Sequence, residues 1–326
     1  MTGRQSTRPG PGQLLRRGLG DLRRPSFPVD VPLLPQPSTA GPPDRYPLDL
    51  RPMTSAFALD DERLVVTRAP NGELYHNPVS MSLYALGRHT GARRAGWHAD
   101  TRADRPLDVQ ALLDQAGWLR AAQDGNGGWR YPVPVPRYGV GPGWYSAMAQ
   151  GLAVSVMLRG YAVTGEGSFL DACRGATELM LRPLSTGGCS HYDEPGRRPF
   201  LEECPSEPAG HILNGAIFAL FGLLELGRHL GTVEVAGRAA DRIRDSLPGF
   251  DLGYWTRYDL RYRAPASLAY HCLHVSLLTA AGRLLADQRW LTTATGWDDY
   301  TRGPLRRLRA AVGKGRFVLG ERHAGG

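Results

Sequence analysis

Two consecutive stretches, GWYSAMAQGLAVSVMLRGYAVTG (residues 143–165) and SFLDACRGATELMLRPL (residues 168–184), decide the fold. The first is apolar on nearly every side, whereas the second has one charged face and one apolar face. A helix that is apolar all round is buried, and an amphipathic helix covers it from outside. The two stretches therefore predict a hairpin made of an inner and an outer helix.

The same alternation recurs along the chain. An apolar stretch at 208–227 precedes an amphipathic one at 234–247, and an apolar stretch at 268–288 precedes the basic segment 304–313. Two earlier stretches, between residues 77 and 123, provide a fourth pair. Inner and outer helices repeated around one core predict a mainly α fold, an α/α barrel or toroid of about four helical hairpins. An α-solenoid is the competing arrangement, but polar and aromatic residues at the starts of the inner helices favour the toroid.

Two regions are expected from the patterning. Residues 1–52 are rich in proline and arginine and have little periodicity, which predicts a flexible arm. Residues 53–326 carry the helical pattern and form the predicted toroid domain. Near its start, Asn71-Gly72 lies between short β-rich runs and is a strong turn signal, so a small β hairpin is expected near residues 60–75.

Composition and charge limit the function classes. A chain of 326 residues with 42% hydrophobic residues can bury a core, which excludes a mainly disordered protein. The net charge is +8, and nearly all basic residues are arginine, since lysine occurs only at Lys314. The planar guanidinium matches carboxylate, sulfate or phosphate groups, so an anionic partner is expected. Nucleic acid is not the expected partner, because the arginines are spread through the helices and not concentrated around a recognition motif.

Export, membrane insertion and disulfide bonding are not expected either. The apolar runs are too short or too interrupted for a membrane span. No apolar segment typical of a signal peptide follows Arg16 and Arg17, so a cytoplasmic location is expected. The cysteines are few and scattered, which predicts free thiols. They are Cys173, Cys189, Cys204 and Cys272.

Two groups of residues were weighed as metal ligands. His271 and His274 lie three residues apart on one helix face, and Cys189, His191 and Asp193 are close in sequence. The histidine pair has no evident third ligand at metal-binding spacing, and no metal site is expected at either place.

Six strings between about residues 70 and 295 resemble the C-terminal domain of the D-glucuronyl C5-epimerase family. They are NGELYHNPVSMSLYALGRHT, WLRAAQDGNGGW, PGWYSAMAQGLAVS, FLEECPSEP, HILNGAIFALFGLLEL and YDLRYRAPASLAYHCLH. The resemblance implies an α/α toroid that inverts C5 of D-glucuronate to L-iduronate within a heparosan-like polysaccharide. It implies no cofactor, because the reaction exchanges protons without hydride transfer, and it is compatible with a homodimer.

The resemblance also implies roles for particular residues. Glu203, Tyr258 and Tyr270 fall on the family's proton-transfer positions, with Glu203 and Tyr270 expected on opposite sides of C5 and Tyr258 assisting. Arg261 is expected to neutralise the substrate carboxylate, because charge develops there when the neighbouring proton is removed. The other expected cleft residues are Tyr75, Trp129, Tyr145, Gln150, Asn214, His271 and His274.

The sequence departs from the family pattern at two places. A β-sandwich module of the animal enzymes is replaced by a short linker between Thr90 and Trp118, and a tyrosine of the family's cleft is replaced by Cys204. Two alternatives therefore stay open. A uronate lyase would begin with the same proton abstraction and then expel the C4 oxygen, and a catalytically inactive chain would keep the toroid for glycan binding.

Overall fold

The computed structural model describes residues 27–31, 44–98, 105–193, 197–262 and 264–324, and in these residues the fold is mainly helical. Nine α-helices are present in the described residues. They are α1 (Pro78–Arg94), α2 (Leu107–Ala121), α3 (Ala147–Thr164), α4 (Ser168–Leu181), α5 (Leu213–Leu230), α6 (Glu234–Phe250), α7 (Leu268–Leu285), α8 (Gln288–Tyr300) and α9 (Pro304–Ala324).

Successive helices form four pairs: α1 packs on α2, α3 on α4, α5 on α6, and α7 on α8. The first helices of the pairs are the inner ones, and they contact each other in the order α1, α3, α5, α7. The buried residues of α3 and α5 occur on all sides of these helices, whereas those of α4 and α6 form one stripe. This arrangement is compatible with the predicted α/α toroid of four hairpins.

The inner helices α3 and α5 approach each other unusually closely. A Cβ atom on Gly222 of α5 would lie 2.0 Å from the carbonyl oxygen of Gly151 of α3, a separation that real atoms do not adopt. Further along the same pair, the guanidinium of Arg159 makes two hydrogen bonds, of 3.0 and 2.9 Å, to the carboxylate of Glu225. Both side chains are buried, so each charge depends on the other for compensation.

Short strands occur in two places. Strands β1 (Ala58–Leu59), β2 (Val65–Arg68) and β3 (Leu74–Tyr75) form an antiparallel sheet in that order. The β2–β3 turn contains Asn71 and Gly72, and Gly72 has a φ of 92°, which explains why glycine suits this turn. Strands β4 (Ser190–Tyr192) and β5 (Pro199–Leu201) form an antiparallel pair that precedes α5. Short 3-10 helices span Arg51–Ala56, Pro136–Tyr138 and Leu184–Thr186.

The expected arm needs a correction where the structure describes it. Most of residues 1–52 lie outside the described residues. Tyr46, Leu48 and Leu50, however, are almost completely buried, and Val29 forms a β-bridge with Leu48. The ring of Tyr46 packs edge-on against Phe221 of α5. These described residues are part of the folded domain, because alternate apolar side chains reach the core from a segment too short for a periodicity signal.

The last helical pair also differs from the expected one. The outer partner of α7 is α8 (Gln288–Tyr300), not the basic segment 304–313, which begins the additional helix α9. Trp290 and Trp297 of α8 are fully buried against the core. These two tryptophans are seven positions apart and lie on the same face of α8. They are enough to bury that face, although the other residues of α8 are mostly polar. Among the described helices, none combines the length and apolar character that crossing a bilayer requires.

Replacing Gly222 by alanine is expected to destabilise the fold strongly. The added methyl group would force α3 and α5 apart, and overpacking of this kind costs about 3 kcal/mol at the upper end of its usual range. Urea unfolding followed by circular dichroism measures the change in free energy.

The matched control is Gly237→Ala in α6. No atom lies within 4 Å of a Cβ built at Gly237, so this change should stabilise the protein by about 0.5–1 kcal/mol through helix propensity. Equal unfolding free energies for the two variants would show that the close approach of α3 and α5 has no energetic consequence.

Candidate functional site

The side chain of Glu203 lies against the first turn of α5. The N-cap residue Ile212 provides no side-chain cap. Instead the Glu203 carboxylate accepts a hydrogen bond of 3.0 Å from the side-chain amide of Asn214 and one from the backbone N–H of Gly215. Position 215 requires glycine, because a Cβ there would lie 2.3 Å from that of Glu203. Residues of the loop and of the helix start therefore hold this carboxylate in one place.

Removal from water raises the pKa of Glu203 to about 7, while hydrogen bonds from Asn214, Gly215 and Tyr258 act in the opposite direction. A carboxyl group with such a pKa exchanges its proton readily near neutral pH.

Tyr258 and Tyr270 complete a hydrogen-bonded group with Glu203. Their ring centroids are 4.8 Å apart with an angle of 67° between the planes. Tyr258 hydrogen-bonds both to Glu203 and to Tyr270. Burial, and then the negative charge of Glu203, raise the pKa of both phenols, so both remain protonated at neutral pH. Tyr270 is 39% exposed, which leaves its ring accessible to a ligand.

Glu203 and Tyr270 line a cavity of about 580 Å³, a size typical of small-molecule sites. All four inner helices contribute to its walls, as do residues from the N-terminal part of the chain. The lining residues of the inner helices are Val79, Leu83, Met148, Asn214, Phe218, Ala269, Tyr270 and Leu273, and those of the N-terminal part include Phe27, Leu50 and Met53. The starts of the inner helices thus share one opening.

Four of the residues predicted from the sequence line this cavity: Glu203, Tyr270, Asn214 and Tyr75. Tyr258 does not line it but contacts both Glu203 and Tyr270. Sequence reasoning missed several other lining residues. Those whose side chains carry a polar group are Asn77, Tyr131, Trp144 and Ser146.

Asn77 and Tyr131 support each other in the cavity wall. Tyr131 donates a hydrogen bond of 3.1 Å to the side-chain oxygen of Asn77, which also caps α1. The ring of Tyr131 stacks on that of Trp144 at 4.2 Å. Two features of the sequence could have pointed to these residues. One is the pair Asn77-Pro78 at the start of α1, and the other is Tyr131, which follows Trp129 by two positions.

His271 and His274 do not line the cavity, contrary to the prediction. Both are fully buried, and both contact the hydroxyl of Thr256, at 2.9 and 3.3 Å. The ring of His271 stacks on Trp255 at 3.9 Å. Both histidines are core residues of α7, because their side of the helix faces Thr256 and the outer helix α8. Tyr270 lies on another side of α7, which faces the cavity.

Three further predictions of cleft residues are also wrong in position. Trp129 is buried and donates its indole N–H to the carbonyl of Leu119, and Gln150 is buried beside Gly127. The guanidinium of Arg261 hydrogen-bonds Ser206 and the carbonyl of Pro208, and it does not line the cavity. The polar groups of these three side chains form hydrogen bonds with neighbouring loops and helix ends. The spacing of residues in the sequence does not reveal such partners.

Tyr145 lines a second cavity of about 440 Å³, and Trp144 lines both cavities. The Tyr145 hydroxyl donates a hydrogen bond of 2.6 Å to Asp124. Two arginines line this second cavity. Arg130 lies over the Tyr145 ring and contacts Asp124 at 3.3 Å, whereas Arg182 has no ion-pair partner among the described residues.

One group of side chains in the described residues has the composition of a metal site. His191, Glu202 and His211 offer ligand atoms that all lie within 4.8 Å of one another. The neighbours weighed with His191 are used otherwise: Cys189 is a buried thiol, and Asp193 forms an ion pair with Arg198.

The model of the D-glucuronyl C5-epimerase C-terminus matches residues 123–299, more than half of the chain. The chain belongs to this family. It is 30% identical over 224 residues to a D-glucuronyl C5-epimerase of Caenorhabditis elegans, a match covering 61% of this chain and 36% of the relative. It is also 26% identical over 136 residues to the uncharacterized protein MJ1128 of Methanocaldococcus jannaschii, covering 40% and 44%. The matches thus span less than half the length of these curated relatives.

Cys204 occupies the position at which the C5-epimerase resemblance has a cleft tyrosine. Its side chain is 3% exposed and packs in a small cluster with Tyr138 and Ile212. Tyr258 and Tyr262 cover this cluster. Tyr138 is itself fixed by a hydrogen bond of 2.9 Å to the buried Asp259. The space around Cys204 is therefore filled by other aromatic rings.

Restoring tyrosine by Cys204→Tyr is expected to destabilise the protein by about 1–3 kcal/mol, since a ring must enter a filled cluster. Chemical unfolding measures the loss. The control Cys204→Ser nearly preserves the volume of the side chain and reports the cost of changing its polarity alone. A Cys204→Tyr protein as stable as the parent chain would mean that the cluster has room for a second ring.

Proposed function

We propose that this protein is an epimerase that inverts C5 of D-glucuronate to L-iduronate in an acidic, heparosan-like polysaccharide. The observation that carries the proposal is the meeting of Glu203 and Tyr270, 67 residues apart in the sequence, in one cavity. Membership of the C5-epimerase family supports it.

Inversion requires one group to remove the C5 proton and another to return a proton from the opposite face. In the proposed reaction the Glu203 carboxylate accepts the proton and the Tyr270 hydroxyl donates one. Tyr258 hydrogen-bonds to both groups, so a proton can then pass from Glu203 through Tyr258 to Tyr270 and restore the starting state. Each such acid or base typically accelerates the reaction by about 10² to 10⁴-fold.

The substrate carboxylate must be stabilised while negative charge develops on it. None of the described residues lining the first cavity is an arginine or lysine. In place of the expected Arg261, the available donors are neutral groups, including the side chains of Asn77, Ser146 and Tyr75, whereas the Tyr131 hydroxyl already donates to Asn77. Buried neutral donors are effective in such a site because little water competes with them.

A polymeric substrate is supported by the second cavity. Trp144 forms a wall shared by both cavities, and its position suits contact with a sugar chain that occupies the two. Arg182 and Arg130 would then meet an anionic group on a neighbouring sugar, while the reacting uronate lies beside Glu203 and Tyr270.

The decisive experiment is deuterium incorporation at C5 of a heparosan oligosaccharide in heavy water. Glu203→Gln and Tyr270→Phe should each lower the exchange rate by at least about 100-fold, because each removes a proton-transfer group. Glu62→Gln, in the exposed turn between β1 and β2, and Tyr254→Phe, which lines neither cavity, serve as matched controls and should keep the parent rate.

The outcomes separate the classes of function. Exchange that survives both substitutions would refute the assigned roles. Ultraviolet absorbance from an unsaturated product, without retained deuterium, would identify a lyase instead. Oligosaccharide binding with no exchange in the parent chain would identify an inactive glycan-binding protein.

Replacing Arg182 by glutamine tests the second cavity. The variant is expected to raise KM for a long oligosaccharide by about tenfold, the size of one charge-assisted contact, with little change in kcat. The control Arg174→Gln removes an arginine of α4 that is paired with Asp171 on the exposed surface. An unchanged KM for Arg182→Gln would place the anionic groups of the substrate elsewhere.

A further inference from the structure

We propose that His191, Glu202 and His211 form a binding site for a divalent transition metal ion of the zinc class. The three residues come from separate segments: His191 lies in β4, Glu202 directly follows β5, and His211 lies in the loop before α5. The site is distinct from the cavity that contains Glu203 and Tyr270, and its existence does not depend on the proposed function.

The distance between the two imidazoles suits one ion. Nδ1 of His191 lies 3.3 Å from Nε2 of His211. Two nitrogens bound to a tetrahedral zinc ion at about 2.0–2.1 Å are about 3.3–3.4 Å apart. A single ion between the rings would therefore need little movement of either histidine.

The carboxylate of Glu202 has a second oxygen within reach of the same ion, since one ligand atom of each of the three residues lies within 4.8 Å of the others. Its Oε2 accepts the backbone N–H of His211 at 2.9 Å. Its Oε1 is buried, lies 3.1 Å from Nδ1 of His211, which is not the ring nitrogen that faces His191, and makes no hydrogen bond of good geometry to the described residues, although the backbone N–H of Gly210 also lies near the carboxylate. An acceptor left without a partner in the interior is costly, and a cation would compensate it.

The backbone of His211 supports the same inference. This residue has a φ of 52°, in the left-handed region that few residues other than glycine adopt and that asparagine, aspartate and histidine adopt most often among them. The ring of Phe200 lies 4.3 Å from the imidazole and holds it from one side. Conformations of this kind persist where the surroundings fix a side chain for a task, and they cluster at ligand sites.

The chemistry of the donors selects the kind of metal. Two imidazole nitrogens and one carboxylate suit zinc and its neighbours such as cobalt and nickel, whereas calcium and magnesium prefer oxygen ligands. The ion would join the β4–β5 pair to the loop that precedes α5. Because Glu203 follows Glu202 directly, the metal would also fix the segment on which the proposed proton acceptor lies.

The test is zinc titration of the chain carrying no histidine tag, after treatment with a chelator, by isothermal calorimetry. One ion per chain is expected. His191→Ala, His211→Ala and Glu202→Gln should each weaken binding by at least tenfold, and cobalt should give the visible absorption of a tetrahedral site in the parent chain but not in these three variants. Circular dichroism of each variant verifies that it is folded, and His191 lies on a short strand near the surface, where alanine is tolerated.

Two control variants keep the outcomes distinct. His229→Ala removes a histidine at the end of α5, away from the cluster, and should bind zinc like the parent chain. Glu203→Gln removes the proposed catalytic base and should also leave zinc binding unchanged, so a failure of the epimerase proposal is separable from a failure of the metal site. Binding that persists in folded His191→Ala and His211→Ala, or no binding by the parent chain, would overturn the inference.

Discussion

The close approach of α3 and α5 is the constraint on which the other parts of the structure depend. Gly151 and Gly222 let the two backbones meet, and the Arg159–Glu225 pair fixes their register further along. The N-termini of the same helices position the site residues. The backbone N–H of Ala147, at the start of α3, bonds the carbonyl of Glu202, and the start of α5 holds the side chain of Glu203. A change in the distance between these helices would therefore move both glutamates.

The two adjacent glutamates have different surroundings because neighbouring residues of an extended segment point in opposite directions. Glu203 is turned towards the cavity and Tyr258, whereas Glu202 is turned towards His211 and His191. Burial raises the pKa of both, to about 7 for Glu203 and about 8 for Glu202. Only the first of these carboxyl groups is accessible to a sugar. One dipeptide thus contributes to two sites, each completed by residues from other parts of the chain.

The inner and outer helices and the β hairpin could be predicted because each has a local cause. Apolar residues on all sides mark a buried helix, and Asn71-Gly72 suits a tight turn. The convergence of Glu203 and Tyr270 followed from the family resemblance together with the expectation that the inner helices share one opening. The burial of His271 and His274 could not be predicted in the same way, because it depends on Trp255 and Trp297, which belong to other segments. The packing of Tyr46 and Leu48 was hidden by the surrounding prolines, since a few alternating apolar residues carry no periodicity.

The positive charge of the chain is a weaker guide to its partner than the pairing of individual arginines. Several arginines are neutralised inside the fold, including Arg159 with Glu225 and Arg137 with the buried Asp259. Others, such as Arg198 and Arg244, bind aspartates on the surface of α6. Arg182 differs because it forms no ion pair with any described residue, although the carboxylate of Glu207 lines the same cavity. An anionic ligand gains most from an arginine that need not first break an existing pair. The arginine beside Trp144 therefore favours an acidic substrate more than the net charge of +8 does.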